Sequence, residues 1–181
     1  MTKLSTTPSA IKAGAFAATF AVCALTSASL NAGGDKVAFP DSYAGGVMYS
    51  TVERTDIKQV REFYTSQAAI DAAKKGEPMP DGTVITMVQF AALLEAGGNP
   101  QKGPNGGYVK GKRLGYAVME KRAGWGEEYP PEQRNGEWEY QAFSVDKVVN
   151  DKANLAACFQ CHKPLEKQDF VFSVDKMKAA K

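Results

Sequence analysis

The stretch TVITMVQF, residues 83–90, is rich in β-branched side chains and predicts a β-strand. Four further segments have the two-residue alternation of a half-buried strand, and they occupy residues 47–51, 60–65, 115–121 and 137–145. A last short extended piece is predicted at residues 169–173 (DFVFS). Five main strands with short flanking helices predict an α+β domain built mainly on an antiparallel β-sheet.

Two segments beside these strands carry helix signals. Residues 66–75 (SQAAIDAAKK) begin at Ser66, a favourable N-cap, and stop before Gly76, a natural helix terminator. Residues 154–162 predict a second, C-terminal helix that Pro164 closes. Both helices are short, as expected for elements that flank a sheet.

Length and composition restrict the class of protein. A chain of 181 residues suits one compact domain, and 44% apolar with 23% charged residues excludes a disordered or collagen-like chain. With a formal net charge of only +2, the chain does not have the excess of basic residues that a nucleic-acid-binding face needs. Three cysteines are too few for a disulfide-stapled scaffold of this length.

The first 32 residues differ from the rest of the chain. They contain Lys3 and Lys12 but no acidic residue, then an apolar run at residues 13–25, then small residues. This is the pattern of a secretory signal peptide, and the run is shorter than the roughly 20 residues of a spanning helix. We therefore predict a signal peptide at residues 1–32 and one domain at residues 33–181. The mature protein is expected in the periplasm or outside the cell, without a stable membrane anchor.

The motif with the clearest chemistry is Cys158-Phe159-Gln160-Cys161-His162. CxxCH is the attachment pattern of a c-type haem, and positions i, i+3 and i+4 share one helix face. The pattern predicts one covalent haem, with thioethers to Cys158 and Cys161 and with His162 as the proximal iron ligand. Export supports this interpretation, as does the fact that the motif holds every cysteine and histidine beyond residue 32.

Three other interpretations of the cysteine pair are weaker. A structural zinc site normally has four Cys or His ligands, and only three are available. A thioredoxin-like dithiol is expected in a βαβ setting, whereas this pair follows a β-rich stretch. A disulfide across so short a loop would contribute little stability.

The sixth iron position has no histidine to fill it, because His162 is the single histidine of the chain. Methionine is one alternative, since Met/His ligation suits electron transfer. An open position that binds a small ligand such as nitric oxide is the other. The methionines beyond the predicted signal peptide are Met48, Met79, Met87, Met119 and Met177.

From about Gly45 to its end, the chain resembles the cytochrome P-460 family and the related beta-type cytochromes c-prime. The resemblance rests on the late CxxCH motif with residues 169–172 (DFVF) after it, and on several earlier pieces in matching order. These are Arg61 three residues before Tyr64, Lys75-Gly76, residues 81–84 (DGTV), Gly106-Gly107-Tyr108 and the strands near residues 115–121 and 137–145. The resemblance implies an antiparallel sheet, usually a homodimer, and a five-coordinate haem c with an open distal side.

In the P-460 enzymes, which oxidise hydroxylamine, a lysine on the strand after the DGT turn is joined to the haem. Here that position falls on or near Met87, and the chain has no lysine between Lys75 and Lys102. The beta-type cytochromes c-prime also lack the cross-link, and they bind nitric oxide beneath aromatic side chains. Phe63, Tyr64 and Phe90 could form such a cap beside Met87, or could simply pack in the core.

Three functional hypotheses follow. The first is an exported haem c protein that binds or converts small nitrogen oxides, nitric oxide or hydroxylamine, with a redox partner protein. The second is an electron carrier with His162 and a methionine on the iron, Met87 first among them. The third is a P-460-type oxidase that uses another lysine, such as Lys121. Glu120 and Glu139 are candidate proton relays, and the sequence assigns no catalytic residue.

Overall fold

The computed structural model describes Met1 and residues 36–181. Its centre is one five-stranded antiparallel sheet in the strand order β1-β2-β3-β4-β5. The strands are β1 (Val47–Arg54), β2 (Gln59–Thr65), β3 (Val84–Ala92), β4 (Lys110–Lys121) and β5 (Trp138–Phe143). The α+β prediction is confirmed. The predicted signal peptide lies outside the described residues, apart from Met1.

Alternation along the strands gives the sheet two different faces. Ile85 and Met119 pack on one face in a core cluster that includes the C-terminal helices. Val88 and Tyr116 pack on the other face, in a second cluster that Val37 and Phe39 complete from the segment before β1. The sheet therefore separates two hydrophobic clusters.

Three α-helices accompany the sheet: α1 (Gln67–Lys75), α2 (Leu155–His162) and α3 (Val174–Lys178). Helix α1 has the predicted signals, because the Ser66 hydroxyl accepts a hydrogen bond from the Ala69 N–H at 3.2 Å and Gly76 ends the helix in the left-handed conformation. Helix α2 is capped by the side chain of Asn154, which accepts from the Ala157 N–H. Short 3-10 helices occupy Tyr43–Gly45, Trp125–Glu128, Pro131–Gln133 and Lys163–Gln168.

The segment after α2 differs from its prediction. The α-helix ends at His162, as predicted, and Pro164 lies in the first turn of the 3-10 helix Lys163–Gln168 that follows, where its missing N–H costs nothing. The predicted extended piece at residues 169–173 is a turn instead, because Asp169 and Phe170 both have positive φ, at 51° and 59°. Among the described residues, no helix is long and apolar enough to span a membrane.

Candidate functional site

An apolar cavity of about 330 Å³ lies between α2 and one face of the sheet. Two rows of cross-strand neighbours form its sheet wall. One row runs Phe63, Met87, Ala117, Ala142 across β2 to β5, and the other runs Ile85, Met119, Tyr140 across β3 to β5. The opposite wall comes from the segment around α2, with Ala153, Leu155, Ala157, Cys158, Cys161 and His162.

The hollow exists because two neighbouring positions of the sheet are alanines, whose side chains are a single methyl group. Ala117 and Ala142 are directly opposite each other on β4 and β5. Larger side chains surround them, including Met119 and Tyr140 in the next row. A volume of a few hundred Å³ with apolar walls is the usual form of a small-molecule or cofactor site.

Helix α2 presents the CxxCH motif to this cavity. Cys158, Cys161 and His162 all contribute to its wall, as the i, i+3, i+4 spacing predicts. Both cysteines are free thiols, Cys158 half-buried and Cys161 exposed. Burial, with a smaller contribution from Cys161, raises the pKa of the Cys158 thiol. Because both thiols are free, the pair forms no disulfide. Because the sheet is antiparallel, the pair is not part of a βαβ unit.

The imidazole of His162 is held in a defined orientation. Its Nδ1 lies 2.7 Å from the carbonyl oxygen of Phe170, so the Nδ1–H donates to that carbonyl and Nε2 keeps its lone pair. The ring also packs against Tyr140 and Phe172, with centroid distances of 5.0 and 4.9 Å. Burial lowers the pKa of His162, with the Phe170 hydrogen bond opposing that shift. These effects favour a neutral imidazole with Nε2 free to bind a metal ion.

The structure divides the four predicted distal residues into two pairs. Phe63 and Met87 are cross-strand neighbours on the cavity wall. Tyr64 and Phe90 belong to the cluster on the other face of the sheet and do not line the cavity. The reason is the strand period, since Tyr64 directly follows Phe63 and Phe90 is three residues beyond Met87. Tyr64 instead donates to the Glu62 carboxylate at 3.1 Å.

The other polar candidates also lie away from the cavity. Glu120 and Glu139 face each other across β4 and β5; Glu120 accepts from Arg122 Nε at 2.7 Å and Glu139 from the Tyr129 hydroxyl at 2.9 Å. Lys121 Nζ is 2.7 Å from the Asp169 carboxylate. No lysine is among the described residues that line the cavity.

The methionines separate in the same way. Met87 and Met119 line the cavity, whereas Met79 and Met177 are buried elsewhere in the core and Met48 is exposed on β1. Within residues 36–181, no three or more Cys, His, Asp or Glu side chains gather in an arrangement that could hold a metal ion. A structural zinc site around the cysteine pair therefore lacks the ligands it needs.

Sequence reasoning missed several residues that shape this site. The two alanines carry no chemical signal, and only the strand register shows that they are adjacent. The sequence predicts Asp169 and Phe170 as part of an extended piece and of the DFVF resemblance, but not as residues that contact the site. Their role depends on contacts with residues more than 30 positions away, such as Trp138 and Met79.

The residues in and beside the cavity have the properties that haem binding requires. The cavity is apolar, and the thiols of Cys158 and Cys161 and the imidazole of His162, whose Nε2 can bind a metal ion, line one wall. Arg61, two residues before Phe63 on the same face of β2, has a buried Nε without a hydrogen-bond partner. A haem carries two carboxylates, and a guanidinium is the side chain best suited to them.

An antiparallel sheet, an apolar hollow and an oriented imidazole are the features expected of a small haem-binding cytochrome. Comparison with protein families agrees, because the family model described as Cytochrome P460 matches residues 40–173, about three quarters of the chain. The chain belongs to the cytochrome P460 family, and membership implies a haem cofactor. No curated protein matches the chain in sequence.

Proposed function

We propose that the chain is an exported c-type cytochrome with one covalently bound haem, which binds or redox-converts small nitrogen oxides. The observation that carries the proposal is the single cavity that Cys158, Cys161 and His162 share with Phe63 and Met87. In such a site the bound haem supplies an iron centre that binds diatomic ligands and changes oxidation state.

The protein's own groups account for attachment. Each thiol can add across one vinyl group of the haem, so that a sulfur–carbon bond forms and the thiol hydrogen moves to the other vinyl carbon. No oxidant is needed. The buried face of α2 brings Cys158 to the cavity, and His162 Nε2 is available as the iron ligand because Nδ1–H is bound to Phe170.

The sheet wall determines what kind of ligand is favoured opposite the helix. Phe63, Ile85 and Ala117 offer no charge and no hydrogen bond, so a neutral diatomic such as nitric oxide is favoured over an anion. Hydroxylamine oxidation to nitric oxide would release three protons and three electrons, which a redox partner protein must accept. The cavity lining, as far as the structure describes it, lacks the lysine of the P-460 cross-link.

Optical spectroscopy of the purified holoprotein tests the proposal. We expect a five-coordinate ferrous spectrum that changes on addition of nitric oxide, and a haem peptide joined only through Cys158 and Cys161 in mass spectrometry. A six-coordinate ferrous spectrum that nitric oxide leaves unchanged would contradict the open site. A third covalent attachment through a lysine would instead support an oxidase of the P-460 type.

Electron transfer with His/Met ligation is the second candidate function. It is supported by Met87 and Met119, whose side chains both line the cavity. Met87→Ala and Met119→Ala separate the two functions, because removal of a sixth ligand converts a six-coordinate ferrous spectrum to a five-coordinate one. Unchanged spectra in both variants would exclude these methionines as ligands.

The proposal also covers location and assembly. The predicted signal peptide places the mature protein in the periplasm or outside the cell, and the family resemblance suggests a homodimer. N-terminal sequencing of the exported protein tests the first expectation. Light scattering of the holoprotein tests the second.

A further inference from the structure

We infer that Asp169 is a positioning residue that orients the His162 imidazole through the Phe170 carbonyl. This inference rests on the proposed function, in which His162 binds the haem iron. Asp169 touches neither the imidazole nor the cavity. Its effect is transmitted through the backbone of the turn that it anchors.

The Asp169 carboxylate joins three separate parts of the fold. One oxygen accepts from the Met79 N–H at 2.8 Å and from Lys121 Nζ at 2.7 Å. The other accepts from the Trp138 indole N–H at 3.3 Å. The segment before β3, the end of β4 and the start of β5 thereby all hold one side chain. Such a carboxylate fixes its own backbone more firmly than a single contact could.

The anchored backbone has an unusual conformation. Asp169 and Phe170 are consecutive residues with positive φ, a region that a bulky side chain such as phenylalanine rarely occupies. A conformation of this kind persists only where surrounding contacts over-determine it. The three bonds to Asp169 and the burial of the Phe170 ring supply those contacts.

This conformation points the Phe170 carbonyl at the imidazole. The carbonyl oxygen lies 2.7 Å from His162 Nδ1, while the Phe170 N–H donates to the Leu165 carbonyl on the other side of the turn. A hydrogen bond to the second nitrogen fixes the tautomer and orientation of a metal-binding histidine and raises its basicity. Relaxation of the turn should therefore weaken the donation of electrons from His162 to the iron.

The charge of Asp169 also contributes to the anchor. The side chains of Lys121 and Asp169 are 15% and 19% exposed, so their ion pair is largely shielded from water. In Asp169→Asn the amide nitrogen would face either the Met79 N–H and Lys121 or the indole N–H, which are all donors. At least one contact is then lost whichever way the amide turns.

The test compares Asp169→Asn with Asp175→Asn in the holoprotein. Asp175 is a matched control, because it is an exposed acid on α3 that forms an ion pair with Lys178 on its own helix. The iron–histidine stretching band of the ferrous protein and its midpoint potential are measured. In Asp169→Asn we expect the band to move to lower frequency and the potential to rise, with neither change in Asp175→Asn.

The proposed function and the positioning role of Asp169 can be contradicted by different results. A wild-type protein without an iron–histidine band contradicts the proposed function. A wild-type band that is unchanged in Asp169→Asn, at equal haem content, overturns the role of Asp169 and leaves the function intact. If Asp169→Asn does not load haem, Lys121→Met keeps the bonds of Asp169 to the Met79 N–H and the Trp138 indole, and should move the iron–histidine band by a smaller amount in the same direction. No shift in that variant would overturn the inference.

Discussion

The two faces of the sheet use the same strands for opposite purposes. On one face, Ala117 and Ala142 leave a hollow that the CxxCH helix covers. On the other, rings fill the space, and Phe39 packs edge to face on Tyr116 and Phe143 with centroid distances of 4.9 and 5.3 Å. The difference shows that one antiparallel sheet can border an apolar hollow on one face and pack aromatic rings on the other.

Filling the hollow should have the largest effect. Ala117→Leu places three extra carbons where the haem is expected, so we expect holoprotein formation to be lost. The haem-to-protein absorbance ratio measures this. Ala91→Leu is the control, because Ala91 is on β3 outside the cavity lining. Normal haem loading in Ala117→Leu would show that this part of the sheet does not border the haem.

Emptying the filled face should reduce stability without altering the site. Phe143 is 4% exposed, and its replacement by alanine is expected to lower the free energy of unfolding by about 3–5 kcal/mol. Urea unfolding of the holoprotein measures the loss. The ferrous spectrum of the folded variant should match that of the wild type. A changed iron coordination would mean that the two faces are coupled.

Phe63 and Tyr64 allow the sharpest comparison, since adjacent residues face opposite sides. Phe63→Ala removes an apolar contact from the cavity and should change the nitric oxide dissociation constant roughly tenfold. Tyr64→Ala should leave that constant unchanged, although it removes more atoms. Equal effects in the two variants would contradict the division of the sheet into a binding face and a packing face.

The smallest expected effect is a pH dependence on the packing face. Burial, with the hydrogen bond to Glu62, raises the pKa of Tyr64 to about 12. The folded protein therefore keeps a proton that the unfolded chain loses near pH 10, so Tyr64 contributes to a loss of stability as the pH rises from 10 toward 12. Tyr64→Phe should show a shallower decline of unfolding free energy with pH above 9. An identical decline would contradict the raised pKa.

Local patterns were sufficient to predict most of the fold. β-Branched side chains located β3 and alternation located the other four strands, although β4 starts at Lys110 and β5 is shorter than predicted. Cap chemistry at Ser66 and Gly76 correctly bounded α1. These signals work because each depends on neighbours in sequence.

The site was only partly predictable, because its parts meet through non-local contacts. Alternation places Phe63 and Tyr64 on opposite faces, so both could not line one cavity. The local pattern does not indicate which face is hollow, since that depends on Ala117 and Ala142 being neighbours across two strands. The turn at Asp169 was predicted as extended because its bonds to Met79, Lys121 and Trp138 leave no trace in residues 169–173.

The strand order has a consequence for biogenesis. Each strand pairs with the strand beside it in sequence, and the CxxCH motif follows the last of them. Pairings between sequence neighbours form quickly, and chains that emerge progressively can fold their N-terminal part first. The sheet wall of the cavity can thus be complete before Cys158 leaves the ribosome. Under the proposed function, haem attachment would then be the closing step of folding, made against a surface that already exists.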